Sequence, residues 1–168
     1  RFGDSYVRNN LRDESRSNRM YNKIGATYFN KTIGGFQFFV EDFIYNHFFN
    51  KILIFDDFTV PNNLSDKVNT VGGKYHYQKN NWTGSALFSK SISDQEMSTL
   101  DIKARYKFGE NSVLLQYQNL SKIPDHTFNL FQSNFKHYNW YNNFNNEKIN
   151  TFSVKAQTKW ANASLQYS

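Results

Sequence analysis

The segment from Thr99 to Phe108 alternates strictly between apolar and polar side chains. Four of the five polar positions carry a charge, and Tyr106 and Phe108 are among the apolar ones. A period of two places successive side chains on opposite faces of a β-strand, whereas a helix could not gather this pattern into one apolar face. The segment therefore predicts a strand with one apolar face and one face lined by charges.

The same alternation recurs in other segments, which short turns join in pairs. A turn at 109–111 leads into a segment that contains Val113, Leu115 and Tyr117, and turns at 33–35, 79–81 and 160–162 join three further pairs. In the first pair the period slips near Glu41, which indicates a β-bulge. The pattern predicts about eight strand segments in four tight-turn hairpins.

The connections between these hairpins are longer and more polar. They run over about 49–67, 91–98 and 121–148, and residues 1–19 have no clear period, so we expect them to form a polar loop or arm. In an up-and-down sheet, alternate connections lie at opposite ends. All the tight turns therefore lie at one end of the sheet and all the long loops at the other. That asymmetry is typical of outer-membrane barrels. We predict an all-β antiparallel transmembrane β-barrel, or a fragment of a larger one, over residues 20–168.

Charges at alternate positions of one strand are costly to bury against a dry second sheet. A water-filled lumen solvates them, and it also fits the strand length of about 9–11 residues that a membrane requires. We expect these side chains to set the charge preference of the lumen. The predicted lumen-lining residues are Lys74, His76, Asp101, Lys103, Arg105, Lys107, Gln116, Gln118, Lys155, Gln157 and Lys159.

Aromatic residues make up 18% of the chain and cluster near strand ends. Rings with a polar edge favour the lipid–water interface, where they form girdles in barrels. The alternative is that they reflect strand propensity alone. The predicted girdle consists of Tyr77, Trp82, Phe88, Tyr106, Phe108 and Trp160.

The long connection over 121–148 is rich in rings and asparagines. One hypothesis is an extracellular loop at the barrel mouth that contacts sugars or a partner protein, with Phe131, Tyr138, Trp140 and Tyr141 as the contact residues. The other is a cap that packs on itself or extends the strands above the membrane. Both explain why so many rings occur in one loop.

Several classes of protein are excluded by composition. The chain has no cysteine, so disulfide scaffolds and thiolate metal sites are ruled out. No apolar run reaches the ~18 residues of a membrane helix. The net charge of +6 is spread along the chain without a nucleic-acid-binding signature, and we expect no nucleic-acid partner. The chain starts at Arg1 without a leader, and we expect a processed or truncated N-terminus.

The four histidines do not form a recognisable catalytic or metal-binding pattern. His76 is the one candidate for rim chemistry, since it is predicted to face the lumen beside Lys74. His126 follows Asp125 in a loop, where a local hydrogen bond explains the pair. No nucleophile motif accompanies either histidine. We therefore predict no enzyme activity, no metal site and no cofactor.

Six segments together resemble the putative porins of Bacteroidota. The strongest match is a block rich in asparagine and aromatic residues, which comprises residues 129–135, 137–144 and 146–148. The other matching segments are residues 35–46, 60–64 and 71–75. The resemblance implies a section of a longer outer-membrane barrel. It carries over no catalytic residue.

These observations favour passage of small hydrophilic solutes across the outer membrane of a Gram-negative bacterium. A second hypothesis is a non-conducting barrel that serves as a structural or accessory subunit of a larger outer-membrane assembly. A third is a soluble all-β binding module. For the first two we expect outer-membrane lipid and lipopolysaccharide as partners, with other outer-membrane proteins as further ones.

Overall fold

The computed structural model describes residues 3–6, 9, 11–144 and 146–168. Strands dominate these residues, and the one helix found among them is a single turn. The elements are β1 Ser15–Asn30, β2 Gly34–Phe49, β3 Leu53–Ile54, β4 Thr59–Val60, β5 Asn63–Lys79, β6 Trp82–Ser91, β7 Ser98–Phe108, β8 Asn111–Lys122, α1 His126–Asn129, β9 Leu130–Phe131, β10 Trp140–Tyr141, β11 Glu147–Gln157 and β12 Asn162–Tyr167.

Eight strands of the described chain form one sheet in the order β1-β2-β5-β6-β7-β8-β11-β12. Each strand lies beside the next long strand of the sequence, so the sheet runs up and down. The predicted all-β fold of about eight strands in four tight-turn hairpins is confirmed. Within the described residues the sheet is open, with β1 and β12 at its edges, so it is not a closed barrel in itself.

Two of the hairpins have a turn residue between their strands whose backbone dihedral angles lie in the left-handed region. Gly109 has φ 60° between β7 and β8, and Asn80 has φ 51° between β5 and β6. Glycine adopts this conformation without steric cost, and asparagine tolerates it better than most residues. The turn chemistry of the sequence thus accounts for these two tight connections.

The strand bounds differ from the predicted ones mainly at two places. β1 begins at Ser15, inside the segment expected to be an arm, because its first residues are polar on both faces and give no hydrophobic period. β5 begins at Asn63, so the connection after β2 ends before residue 67. That connection also contains a small ladder of β3 and β4, in which Leu53 pairs with Val60.

The chain divides into two compact units. The first comprises residues 1–21, 43–67 and 123–145, and the second residues 22–42, 68–122 and 146–168. The first unit has its own apolar core of Phe49, Val60 and Leu130. The second consists of paired strand segments with short turns. No helix in the described part of the chain is long and apolar enough to cross a membrane.

Candidate functional site

Cross-strand register brings the predicted lumen-lining residues onto one face of the sheet. Lys103 of β7 lies opposite Ser85 of β6 and Gln116 of β8, and Gln116 lies opposite Ser153 of β11. Residues directly opposite share a face, as do residues two apart on a strand. We call this the polar face; it carries Lys74, His76, Asp101, Lys103, Arg105, Lys107, Gln116, Gln118, Lys155 and Gln157. Lys159 lies beyond the end of β11.

The opposite face of the same strands is apolar and exposed. Ile102 lies opposite Ala86 and Tyr117, and Tyr117 lies opposite Phe152. Ile102, Tyr117 and Phe152 are 44%, 41% and 48% exposed. A contiguous row of exposed apolar side chains needs an apolar environment or a partner. We call this the apolar face.

Rings of the predicted girdle meet on the apolar face near the tight turns. Trp82 and Tyr106 lie opposite each other with ring centroids 4.7 Å apart, and Phe108 follows 6.1 Å from Tyr106. Tyr77 stacks on Tyr75 at 6.4 Å. Tyr77 pairs with Gly84, two residues along β6 from Trp82, so these four girdle residues form a band near one end of the strands.

The other two girdle residues lie apart from that band. Phe88 pairs with Leu100, six residues along β6 from Trp82, which is ~20 Å at the rise of a strand. Trp160 lies in the turn after β11, is 88% exposed, and has the Lys159 ammonium 5.6 Å from its ring centroid. Their assignment to a girdle stays a prediction.

The polar face has acidic as well as basic side chains. Asp101 Oδ2 lies 3.0 Å from Lys103 Nζ, and Asp101 Oδ1 accepts a hydrogen bond of 3.0 Å from Gln116 Nε2. Lys23 Nζ lies 2.8 Å from Glu41 Oε1. These pairs offset part of the positive charge of the polar face. Among the described residues, Arg105, Lys107 and Lys155 lie nearer the tight turns and take part in no such ion pair.

The long connection after β8 packs partly on itself and partly on β2 and β4. Leu130 is fully buried, and the Phe131 ring stacks on Trp140 with centroids 4.9 Å apart. The Trp140 indole N–H donates to the Thr127 carbonyl oxygen at 2.9 Å. Of the four predicted contact residues, Phe131 and Trp140 are therefore used in internal packing. The side chains of Tyr138 and Tyr141 are 41% and 49% exposed.

Asp13 ties the N-terminal segment to this connection. Its carboxylate accepts hydrogen bonds from the Ser133 hydroxyl at 2.7 Å and from the Asn134 backbone N–H at 2.6 Å. Ser133 and Asn134 are buried, and the Asn134 side-chain oxygen accepts a further bond from Lys51. No sequence pattern indicates this role, because the partners are about 120 positions apart.

A histidine pair that the sequence did not predict occurs in the first unit. His47 is 5% exposed, and its ring centroid lies 3.9 Å from that of His126. Arg19 Nη2 lies 3.2 Å from His126 Nδ1. The one sequence signal is that His47 interrupts a run rich in aromatic residues at 43–49. His76, by contrast, is exposed on the polar face.

Asp125 has a local structural role. Its carboxylate accepts hydrogen bonds from the backbone N–H and the hydroxyl of Thr127, both at 2.9 Å, which caps α1. These bonds hold the pKa of the Asp125 carboxyl below its ordinary value. His126 Nδ1 lies 3.4 Å from the same carboxylate. Among the described residues, no group of three or more His, Asp or Glu side chains could hold a metal ion.

The whole sequence matches one known protein family. A family model described as putative porin covers residues 1–168. The chain belongs to the putative porin family. Membership supports a porin-like outer-membrane function and agrees with the two-faced sheet. An origin in Bacteroidota stays a prediction. No curated protein and no solved structure matches this member of the putative porin family.

Proposed function

We propose that this protein forms a section of an outer-membrane barrel through which small hydrophilic solutes pass. The observation that carries the proposal is the pairing of an exposed apolar face with a polar, charged face on the same strands. Lipid satisfies the first face and water the second. Family membership supports the same conclusion.

Strand length also supports the proposal. Within the second unit, the strand segments are 22–30, 34–42, 68–79, 82–91, 98–108, 111–122, 147–157 and 162–167. Most of them contain roughly the 9–11 residues that a tilted strand needs to cross the hydrocarbon core. We propose these segments as the membrane-spanning ones. Residues 43–49 of β2 then extend beyond the membrane.

In this arrangement the polar face lines the lumen. Lys159 contributes from the turn after β11, where its ammonium lies 3.4 Å from Glu110. The apolar face contacts outer-membrane lipid, with the ring band around Trp82 and Tyr106 at one interface. Lipopolysaccharide is the expected outer-leaflet lipid, and nucleic acid is not a partner. Passage requires no catalytic residue and no cofactor.

A non-conducting accessory barrel is the second candidate, and the exposed rings of the connection after β8 favour it. Phe128, Tyr138, Tyr141 and Phe144 are each between 41% and 61% exposed. Rings exposed together on one connection fit contact with another outer-membrane protein. The two candidates differ in whether the lumen conducts.

Two experiments test these proposals. Heat-dependent migration of the full protein on a detergent gel is expected of a barrel, and its absence would favour a soluble binding module. Reconstitution in planar bilayers distinguishes the conducting barrel from the accessory barrel. Stepwise conductance supports solute passage, whereas no conductance at any voltage supports the accessory role.

A further inference from the structure

Four cations lie close together on the polar face near the tight turns. Lys103, Arg105 and Lys107 alternate along β7, which places neighbours ~7 Å apart along the strand. Arg105 lies opposite Leu114, which lies opposite Lys155, so Lys155 is two strands from Arg105, or ~10 Å. We call these four residues the Arg105 patch.

The Arg105 patch is largely without counter-charges. Lys103 pairs with Asp101, 3.0 Å away. In the part of the chain that the structure describes, Arg105, Lys107 and Lys155 have no acidic side chain within 4 Å. Like charges held side by side repel, so a bound anion would relieve the repulsion.

Neutral hydrogen-bond donors surround the same cations. A depression of about 260 Å³ on one side of Arg105 is lined by Lys103 and Lys107 together with neutral polar side chains. A second, of about 380 Å³, lies toward Lys155. Neither lining contains a carboxylate, whereas the depression around Lys74 includes Asp101. The hydroxyl and amide side chains of the first two are Gln78, Thr83, Ser85, Ser112, Gln157, Asn162 and Ser164, and His76 also lines the first.

From this combination we infer that the Arg105 patch is a binding site for small multivalent oxyanions, such as solutes that bear several phosphate or carboxylate groups. Guanidinium and ammonium groups bind such oxygens through charge-assisted hydrogen bonds, and hydroxyl and amide groups add neutral donors. In a conducting lumen the patch makes anions the preferred solutes. The selectivity rests on the proposed pore function, whereas anion binding does not.

The selectivity is tested in planar bilayers with the full protein under a tenfold KCl gradient. The reversal potential is expected to show Cl⁻ permeating several-fold better than K⁺. The patch variant Arg105→Gln/Lys107→Gln/Lys155→Gln should bring that ratio close to one. The matched control Lys31→Gln/Lys79→Gln/Lys90→Gln removes the same charge elsewhere in the chain and should leave the ratio unchanged. Cation preference, or equal ratios in both variants, would overturn the inference but leave the pore proposal intact.

Anion binding is measured separately by calorimetric titration of the detergent-folded protein with sodium tripolyphosphate at low ionic strength. The patch variant should bind at least tenfold more weakly, and the control variant should bind like the unmodified protein. If no variant conducts, the pore proposal fails and this titration alone decides the inference. Absent binding, or equal binding in all three proteins, would then overturn it.

Discussion

The rings of His47 and His126 lie with their centroids 3.9 Å apart and their planes tilted by 51°, although 79 positions separate them in the sequence. Neither ring nitrogen of His47 has a hydrogen-bond partner among the described residues. Burial lowers the pKa of His47, and the nearby His126 and Arg19 lower it further. The fold therefore disfavours the charged form of His47, whose ring packs against Phe49 and His126.

The free energy of unfolding is expected to depend on His47 below neutral pH. Because the folded pKa lies below the unfolded value of ~6.5, the unfolded state takes up the proton first. Stability is thus fully present above ~6.5 and decreases as the pH falls through the folded pKa. His47→Phe keeps a ring in place and should flatten this dependence, measured by urea unfolding in vesicles between pH 7.5 and 5.

The control for this prediction is His137→Gln, which removes an exposed histidine of the same unit. It should unfold with the unmodified pH profile. If the free energy of unfolding of His47→Phe fell with pH as steeply as that of the control, His47 would not be the source of the pH dependence.

The Phe39 ring lies so close to the backbone of Gly72 that a larger residue would clash with it. A Cβ atom at Gly72 would lie 2.5 Å from Phe39 Cζ and 2.7 Å from the Phe88 carbonyl oxygen. Gly72→Ala should therefore cost ~1–3 kcal/mol of stability, as overpacking does elsewhere. At Gly84 a Cβ would meet only the Lys103 carbonyl oxygen, at 3.9 Å.

Gly84→Ala is accordingly the matched control and should change stability by less than ~0.5 kcal/mol. Urea midpoints of both variants in the same vesicles check the difference. Adding Phe39→Leu should recover part of the loss in Gly72→Ala. Equal midpoints for the two alanine variants would contradict the proposed clash.

The strands of the second unit could be predicted from the sequence because alternation reports backbone geometry directly. Thr99 to Phe108 is the clearest example, and its register then fixes the polar face across β6, β8 and β11. The start of β1 could not be predicted in this way, since its first residues are polar on both faces. His47 and Asp13 could not be predicted, because their partners lie far along the chain and no local period marks tertiary contacts.

Substituting an arginine on each face of the sheet in turn tests which face contacts lipid. Ile102 lies near the middle of β7 on the apolar face, so Ile102→Arg should cost ~2–4 kcal/mol if that face contacts the bilayer centre. In a soluble module the same exposed position would accept arginine with little change. Folding yield into vesicles and the urea midpoint measure the cost.

Gln118→Arg is the control on the polar face, where the new charge lies opposite Asp101 and water accommodates it. Its stability should match that of the unmodified protein. Similar losses in both variants, or none in either, would contradict the assignment of the two faces.

The carboxylate of Asp13 is expected to hold the connection after β8 in its packed form. Asp13→Ala leaves the Ser133 hydroxyl and the buried Asn134 N–H without their acceptor, which costs ~1–3 kcal/mol for groups removed from water. The effect should be local, because the strands of the second unit keep their own pairing. Hydrogen exchange over residues 130–142 should therefore speed up, while exchange in β7 stays unchanged. Asp56→Ala removes an exposed carboxylate from the same unit and should alter neither region. Unchanged exchange over 130–142 in Asp13→Ala would show that the connection packs without this carboxylate.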